Sequence, residues 1–354
     1  MPNVQRQGDA YRAPAGAPTW STAACSDVGL DVGKLDLLFE VARDNLSDSL
    51  LVFRHGHLIR ESYWNGKSES SVQQTYSGTK SVFALLIGRL MERGVLSSLE
   101  QPLCELIVEL PERLRQVTFE NIMAMQSGVA NSPEIEELGG TGETQLDIAL
   151  AREVEAEPFS KYYYNNAMYR LLFTAVERVS GRSLEELTRD EVFEPLGFDG
   201  AYWVKLYAVD DVREIFRGYQ SICMTPRDFA KSSQVILDRG MWRGQPYLSE
   251  SFTSRLTCVA NAEANPSFGL FHHLNAGSHY RDRLIPVRID RKLLPGVPDD
   301  AFLMFGSGGQ VTVGIPSLKL VLVRTGDGVS LYEAQNLVAT LVRLLVDAVQ
   351  TARG

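Results

Sequence analysis

The chain has 354 residues, of which 44% are hydrophobic and 22% are charged, a composition ordinary for a globular protein with a substantial core. Its formal net charge of -9 argues against a nucleic-acid partner, because phosphate groups would be repelled. The N-terminal residues lack the apolar core of a secretory signal, and the most apolar stretches are interrupted by Arg or Glu. We therefore expect a cytoplasmic protein with no membrane partner.

The first predicted elements are a helix and a β-hairpin. Residues 1–30 are rich in Ala, Pro, Gly and Ser and predict a loosely structured lead-in. Helical spacing of apolar residues covers 32–45. Two β-rich runs, at 49–54 and 58–64, flank the sequence His-Gly-His, which is typical of a hairpin turn.

The middle of the chain, up to about residue 239, predicts a mainly helical block. Apolar residues recur at helical spacing through it, and turn residues such as Gly181 and Pro195 mark helix ends. The stretch 219–224 is predicted to be a short connection. The predicted helices after the one that begins near Ser77 are 119–125, 145–151, 167–179, 183–192 and 227–238.

The last part of the chain changes to strands and a closing helix. Short apolar or alternating runs predict strands at 267–274, 301–305, 310–315 and 318–324, and a final amphipathic helix at 332–351. The order indicates an α+β fold, with an antiparallel sheet built from both chain ends and a helical insertion. We expect one α/β domain from 1–75 together with 240–354, and a mainly helical domain from 76–239. The polar segment 275–300 is expected to be a lid or a wall of the substrate site.

A Ser-x-x-Lys motif stands where a predicted helix begins. Three residues make almost one helical turn, so Lys80 lies beside Ser77 on one helix face. A serine hydroxyl beside an amine at a helix N-terminus is the arrangement needed to activate a nucleophile. The alternative is that Ser77 is an ordinary helix cap and Lys80 a solvated surface residue.

Other residue types that often carry chemistry give weaker signals. The pair His55 and His57 flanks the hairpin turn, and no His-Glu-x-x-His or Gly-rich phosphate loop is present. The sequence therefore implies no metal and no cofactor. The cysteines are far apart and form no Cys-x-x-Cys pair, so we expect reduced thiols at Cys25, Cys104, Cys223 and Cys258.

From about Trp20 to Val349 the chain resembles the serine β-lactamase and penicillin-binding-protein superfamily. The likeness rests on Ser77-Gly-Thr-Lys80 and on the segments 49–64, 117–128, 164–172 and 225–231. Within the superfamily it is most similar to class C-like serine hydrolases, which include esterases and the 6-aminohexanoate-dimer hydrolase type. The resemblance implies a β-lactamase-like antiparallel sheet flanked by helices, with a mainly helical inserted domain.

The second motif of that superfamily is Tyr-x-Asn, and its register has to be chosen. The family places an aromatic residue three positions after the Asn, followed by a Leu-Leu helix, and Tyr169 meets that spacing from Asn166. We therefore assign the motif to Tyr164 and Asn166. The pairs that satisfy the pattern are Tyr63 and Asn65, Tyr163 and Asn165, and Tyr164 and Asn166.

At the third motif the chain departs from the family. A Lys or His usually begins this motif, whereas Ser307-Gly308-Gly309 stands here, just before Gln310 and a predicted strand. Serine cannot supply the cation that binds a substrate carboxylate in penicillin-recognising members. A role in β-lactam resistance is therefore in doubt, while the glycines would still let the backbone approach the acyl group.

The resemblance implies the following roles. Ser77 forms the acyl-enzyme, Lys80 and Tyr164 act as general base and acid, and Asn166 orients Lys80 and the substrate. The backbone N–H groups of Ser77 and Gln310 form the oxyanion hole. The predicted function is hydrolysis of small-molecule esters or amides, and the alternatives are an acyltransferase using the same acyl-enzyme and a non-catalytic binding protein. The oligomeric state is left open.

Overall fold

A computed structural model describes residues 3–15, 19–130, 144–209, 213–282 and 287–350, and it has the predicted α+β architecture. In chain order its helices are α1 (Val32–Asp44), α2 (Thr79–Glu92), α3 (Phe119–Met123), α4 (Gln145–Leu150), α5 (Asn166–Ser180), α6 (Leu184–Thr188), α7 (Glu194–Leu196), α8 (Pro226–Leu237), α9 (Glu250–Thr257) and α10 (Leu331–Asp347). A π-helical turn, Arg189–Phe193, joins α6 to α7. Each predicted helix is confirmed, with ends that differ by a few residues.

The helix starts follow from capping side chains. Asp31, Thr144, Ser183 and Ser330 each accept a hydrogen bond from the backbone N–H three residues later, which satisfies a donor that the first turn leaves unpaired. At Ser183 and Ser330, the side chain of the Glu three residues later accepts a hydrogen bond from the backbone N–H of the cap residue, which completes a capping box. These caps fix where the four helices begin.

The main sheet is antiparallel and is built from both ends of the chain, as predicted. Its strands are β2 (Ser49–Arg54), β3 (His57–Tyr63), β9 (His273–Leu274), β12 (Phe302–Phe305), β13 (Val311–Ile315) and β14 (Leu320–Thr325). They follow the order β3-β2-β14-β13-β12-β9. The turn between β2 and β3 has left-handed φ angles of 52° at His55 and 78° at Gly56, which suits a tight hairpin.

A second antiparallel sheet was not predicted. It has the order β1-β5-β6-β4, with β1 (Asn3–Gln7), β4 (Gln73–Gln74), β5 (Tyr202–Val209) and β6 (Glu214–Met224). The prediction of a short connection at 219–224 is therefore wrong, because this stretch is the end of β6. Its last four residues are all buried, and the pairing with β5 shifts register twice, so the two-residue alternation of a half-buried strand is lost.

The predicted strand at 267–274 is extended only at its end. Within the described residues only His273–Leu274 pairs with β12, while Phe271 takes a left-handed φ of 60° that interrupts an extended chain. The segment 275–300 contains a short hairpin of β10 (Tyr280–Arg281) and β11 (Arg288–Ile289), and residues 283–286 lie outside the described ones. A small hairpin of β7 (Met241–Trp242) and β8 (Gln245–Pro246) precedes α9.

Two apolar cores lie on opposite faces of the main sheet. Helices α1 and α10 pack together over one face, where Leu38, Leu303 and Leu341 are fully or almost fully buried. Helix α2 lies in the larger core on the other face, with the aromatic residues of α5. Because α2 is buried along nearly its whole length, the turn at its N-terminus is fixed against its neighbours. The division into two domains stays a prediction. None of the described helices is long and apolar enough to cross a membrane.

Candidate active site

Ser77 lies in a tight helical turn, Tyr76–Gly78, that leads directly into α2. Strand β6 is hydrogen-bonded to the residues on both sides of this turn. The Thr75 hydroxyl donates to the Ile222 carbonyl oxygen at 2.8 Å, and the Ile222 N–H donates to the Thr79 hydroxyl at 2.9 Å. These bonds fix the backbone on both sides of Ser77 and hold its hydroxyl at the N-terminal end of the helix.

Lys80 is one helical turn further along and is only 4% exposed. Its Nζ donates to the Ser77 Oγ at 3.2 Å and to the Asn166 Oδ1 at 2.7 Å. The same nitrogen lies 4.9 Å from the ring centre of Tyr164 and 4.5 Å from that of Tyr169. The alternative of a solvated surface lysine is therefore wrong, since burial and these contacts place the ammonium inside the protein.

The start of α5 places Asn166 at Lys80. Asn165 is the cap of this helix, and its side chain accepts from the Met168 N–H at 2.9 Å while donating to the Val129 and Ala130 carbonyl oxygens. Asn166, the first helical residue, is left to face Lys80. The structure thus brings the Asn of the chosen register to Lys80, while the neighbouring Asn165 supports the fold. Asn65 of the third possible pair donates to Asp48 instead.

Tyr164 lies beside Lys80, but the described contacts include no hydrogen bond of its hydroxyl. Its role as general acid or base stays a prediction. Tyr169, which the sequence identified only as a spacing marker, lies on the same side of the site with its ring over Lys80. Burial raises the pKa of the Tyr169 hydroxyl well above its ordinary value, so this phenol stays protonated.

The third motif forms the turn after β12. A side chain at Gly306 would overlap the Thr75 carbonyl oxygen, so only glycine lets this turn approach the segment that contains Ser77. Gly308 and Gly309 have left-handed φ angles of 71° and 82°, which favour glycine for a conformational reason as well. Ser307 is brought to the cavity that Ser77 opens into.

Gln310 is fully buried behind this turn. Its backbone N–H donates to the Ser307 carbonyl oxygen at 3.4 Å, so it lies within the turn, and its part in an oxyanion hole stays a prediction. Its side chain donates to the Gly326 carbonyl oxygen at 2.8 Å. Arg324 donates to the carbonyl oxygens of Gly308 and Gly326, at 2.7 and 3.0 Å. The third motif is thus held from behind by two buried polar side chains.

Ser77 and Lys80 line a cavity of about 110 Å³. Its lining contains Tyr76, Ser77, Lys80, Asn166, Tyr169, Arg170, Gln220, Ser221 and Ser307. The sequence missed Gln220 and Ser221 because they lie on the unpredicted strand β6. No described residue of 275–300 lines this cavity. Instead, Tyr280, Leu293 and Leu294 line a separate, small cavity of about 30 Å³ against α10.

The histidines and cysteines do not line the Ser77 cavity. His57 Nδ1 lies 2.9 Å from the Ser21 hydroxyl at the edge of the main sheet, and the four cysteines are free thiols, as predicted. Within the described parts of the chain, no group of three or more His, Cys, Asp or Glu residues could hold a metal ion.

Comparisons with known proteins show the family and the fold of this chain. Residues 35–323 match the model of the beta-lactamase family. The fold is similar to that of a Bacillus anthracis protein assigned as a 6-aminohexanoate-dimer hydrolase, with a TM-score of 0.71, 20% identity and coverage of 95% of this chain and 89% of that chain. It is also similar to EstCE1, a hydrolase with promiscuous acyltransferase activity, with a TM-score of 0.67, 14% identity and coverage of 88% and 100%.

A curated relative matches over a shorter length. The unguisins hydrolase of Aspergillus violaceofuscus is 27% identical over 165 residues, which are 43% of this chain and 29% of that protein. The match therefore spans less than a third of that relative, and the structural similarities at 20% identity or below show the fold alone.

Proposed function

The chain belongs to the beta-lactamase family of serine hydrolases and acyltransferases, and we propose that it cleaves ester or amide bonds of small molecules through an acyl-enzyme on Ser77. One observation carries this proposal. The buried Lys80 nitrogen lies 3.2 Å from the Ser77 hydroxyl, and both residues line the same cavity.

The reaction follows from the groups around Ser77. In this step Lys80 acts in its neutral amine form, which burial favours. The Ser77 Oγ attacks the substrate carbonyl carbon while its proton passes to the Lys80 amine, and Tyr164 shares this proton and returns it to the leaving alcohol or amine. The C–O or C–N bond breaks and leaves an acyl ester on Ser77. Water then attacks this ester, releasing the acid and restoring the serine. Asn166 supports the sequence by holding the Lys80 nitrogen at 2.7 Å.

The negative charge that develops on the carbonyl oxygen needs donors. The Ser77 N–H lies at the N-terminal end of α2, where backbone donors and the helix dipole favour an anion. A donor of this kind typically lowers the barrier by about 3 kcal/mol. We propose the Ser77 N–H as one oxyanion donor, with the Gln310 N–H as the second once the turn at Ser307 accommodates substrate.

The third motif limits the substrate class that we propose. Ser307 presents a neutral hydroxyl to the cavity where penicillin-recognising relatives have a cation. Substrates are therefore expected to bind at this position through hydrogen bonds and shape, with no carboxylate ion-paired there. We do not propose β-lactams as substrates.

Acyl transfer is the second candidate, because the same acyl-enzyme can be released to an amine or alcohol. The structural similarity to a hydrolase with promiscuous acyltransferase activity supports keeping it. The acyl-enzyme chemistry is common to both outcomes, and exclusion of water from the site decides between them.

The test uses a p-nitrophenyl ester with the purified chain, with and without an added amine. Product formation and an acyl adduct in intact-protein mass spectra are expected for the wild type, and both should disappear in Ser77→Ala. Ser81→Ala is the matched control, because this serine is on the same helix but donates to the Phe271 carbonyl oxygen. An unchanged rate of ester cleavage in Ser77→Ala would contradict the proposal that Ser77 forms the acyl-enzyme. Amine-dependent product would favour transfer.

A further inference from the structure

The Lys80 ammonium lies between two tyrosine rings, at 4.5 Å from the centre of Tyr169 and 4.9 Å from that of Tyr164. A cation within about 6 Å of a ring centre is attracted by the negative face of the ring, and more strongly where water is excluded. We propose that Tyr169 is a positioning residue whose ring face, and not its hydroxyl, holds the Lys80 ammonium between Ser77 and Asn166. This inference rests on the proposed function of Ser77.

The hydroxyl of Tyr169 does not explain why an aromatic residue is placed there. It is buried and has no hydrogen-bond partner in the described part of the chain. An unpaired buried hydroxyl is unfavourable, so the part of Tyr169 that contacts the site is its ring. Phenylalanine at this position would keep the ring and lose only an unpaired group.

The ring cannot easily move away from Lys80. Three other aromatic side chains contact it edge-on, with centre distances of 5.7 Å to Phe83, 4.8 Å to Phe173 and 5.3 Å to Phe271. Edge-to-face pairs at these distances are favourable, and the side chain is only 2% exposed. The ring face is thus preorganised toward the ammonium.

The ring must affect the charge of Lys80 as well as its position. Burial favours the neutral amine, whereas the ring face and the Asn166 oxygen favour the ammonium. Removing the ring face therefore lowers the pKa of Lys80. Whether catalysis needs Lys80 neutral or charged, the part of the pH profile that depends on it moves to lower pH.

Other groups facing Lys80 stay in place when residue 169 is changed. Strand β6 and the turn after β12 contribute Gln220, Ser221 and Ser307, which carry no charge. The titratable or charged side chains that line the cavity with Lys80 or place a ring near its nitrogen are Tyr76 from the turn of Ser77, Tyr164 from the segment before α5, and Tyr169 and Arg170 from α5 itself.

The experiment measures the second-order rate of covalent labelling of Ser77 by a fluorophosphonate, as a function of pH. In this reaction the serine oxygen bonds to phosphorus and fluoride leaves, so a catalytic substrate is not needed. The variants are Tyr169→Phe, Tyr169→Leu and Phe173→Leu. Phe173 is the matched control, because it belongs to the same aromatic cluster and packs against Tyr169, but its ring does not lie over Lys80.

We expect Tyr169→Phe to keep the wild-type pH profile, and Tyr169→Leu to shift the lysine-dependent limb by about one pH unit toward acid. Phe173→Leu should lower the melting temperature without that shift. An unshifted limb in Tyr169→Leu, or an equal shift in Phe173→Leu, would overturn the inference. If Tyr169→Leu does not fold, phenylalanines with increasing ring fluorination at 169 keep the volume, and the limb must move stepwise with fluorination.

The wild type and Ser77→Ala separate the two proposals. If the wild type is not labelled, or if Ser77→Ala is labelled at the same rate, the proposed function fails. If the wild type is labelled at Ser77 and the ring variants leave the pH profile unchanged, only the role of Tyr169 fails.

Discussion

The Lys80 nitrogen lies 2.7 Å from the Asn166 side-chain oxygen, nearer than the 3.2 Å that separates it from the Ser77 hydroxyl. Asn166 is the first residue of its helix, and the preceding Asn165 is the cap. Two adjacent residues of the same type therefore serve different purposes, one at the site and one in the fold. Their separate effects can be measured.

Replacing Asn166 by Ala should lower activity. It removes a hydrogen bond to a charged group, which is worth roughly 1.5–3 kcal/mol, so we expect kcat/KM to fall by about ten- to a hundredfold. Asn165→Ala should instead lower the free energy of unfolding by about 1 kcal/mol through loss of the cap. Ester hydrolysis and urea denaturation of both variants check this, and the reverse pattern would return the motif to Tyr163 and Asn165.

Tyr164→Phe tests the hydroxyl at the second motif. The change keeps the ring beside Lys80 and removes only the group that would transfer protons. General acid–base catalysis by one side chain contributes about 10²- to 10⁴-fold, so the rate of acyl-enzyme formation should fall by at least a hundredfold. Tyr163→Phe serves as the control on the neighbouring residue. A wild-type rate in Tyr164→Phe would exclude this hydroxyl from proton transfer.

The buried side chain of His272 should make the fold less stable in mild acid. The ring is fully buried, its Nδ1–H donates to the Leu270 carbonyl oxygen, and burial lowers its pKa from 6.5 to about 4. Above pH 6.5 both folded and unfolded chains have a neutral ring, and no stability is lost. Between pH 6.5 and about 4 the ring binds a proton in the unfolded chain but stays neutral in the folded chain. The free energy of unfolding therefore decreases as the pH falls, by roughly 3 kcal/mol in total.

The measurement is the free energy of unfolding in urea at a series of pH values from 7 to 4. Replacing His272 by Gln should flatten the part of the curve between about pH 6.5 and 4. His279→Gln, a change at a histidine outside the core, should leave that slope in place. An equally steep curve in His272→Gln would show that other groups cause the acid sensitivity.

The parts of the site that the sequence predicts are those set by local geometry. Ser77 and Lys80 are three residues apart on one helix, so their contact follows from the helical repeat alone. The helix caps and the amphipathic faces of α1 and α5 are local features as well, and they explain why these elements are correctly predicted. The choice of Asn166 depended on the resemblance, because the family places an aromatic residue three positions after the Asn and Tyr169 meets that spacing.

The parts that could not be predicted depend on tertiary contacts. Strand β6 is buried on both faces near its end and pairs irregularly, so its side chains Gln220 and Ser221 reach the cavity without a periodic signal. Arg324 was expected only as the end of a strand, where a charged residue is usually exposed. Its burial follows from acceptors near residues 45, 308 and 326, which no local pattern brings together.

Arg324 should connect the stability of the sheet to the geometry of the third motif. Its fully buried guanidinium donates to the backbone oxygens of Leu46, Gly308 and Gly326 and to the Ser47 hydroxyl, and burial lowers its pKa to about 10. Arg324→Met leaves these acceptors without donors, so the free energy of unfolding should fall by about 3–5 kcal/mol. Arg324→Lys keeps the charge and part of the bonding and should fall less.

The same pair of variants tests whether the hydrogen bonds of Arg324 position the turn at Ser307 as well as stabilising the fold. Because the guanidinium holds the Gly308 oxygen at 2.7 Å, its loss frees the turn that faces Ser77, and we expect kcat to fall more than KM changes in folded Arg324→Lys. Arg60→Lys, which breaks an exposed ion pair with Asp36, is the control. If Arg324→Lys is destabilised but its Ser77 is labelled by fluorophosphonate as fast as in the wild type, Arg324 stabilises the sheet alone, and the turn at Ser307 is positioned by Gln310 and the glycines.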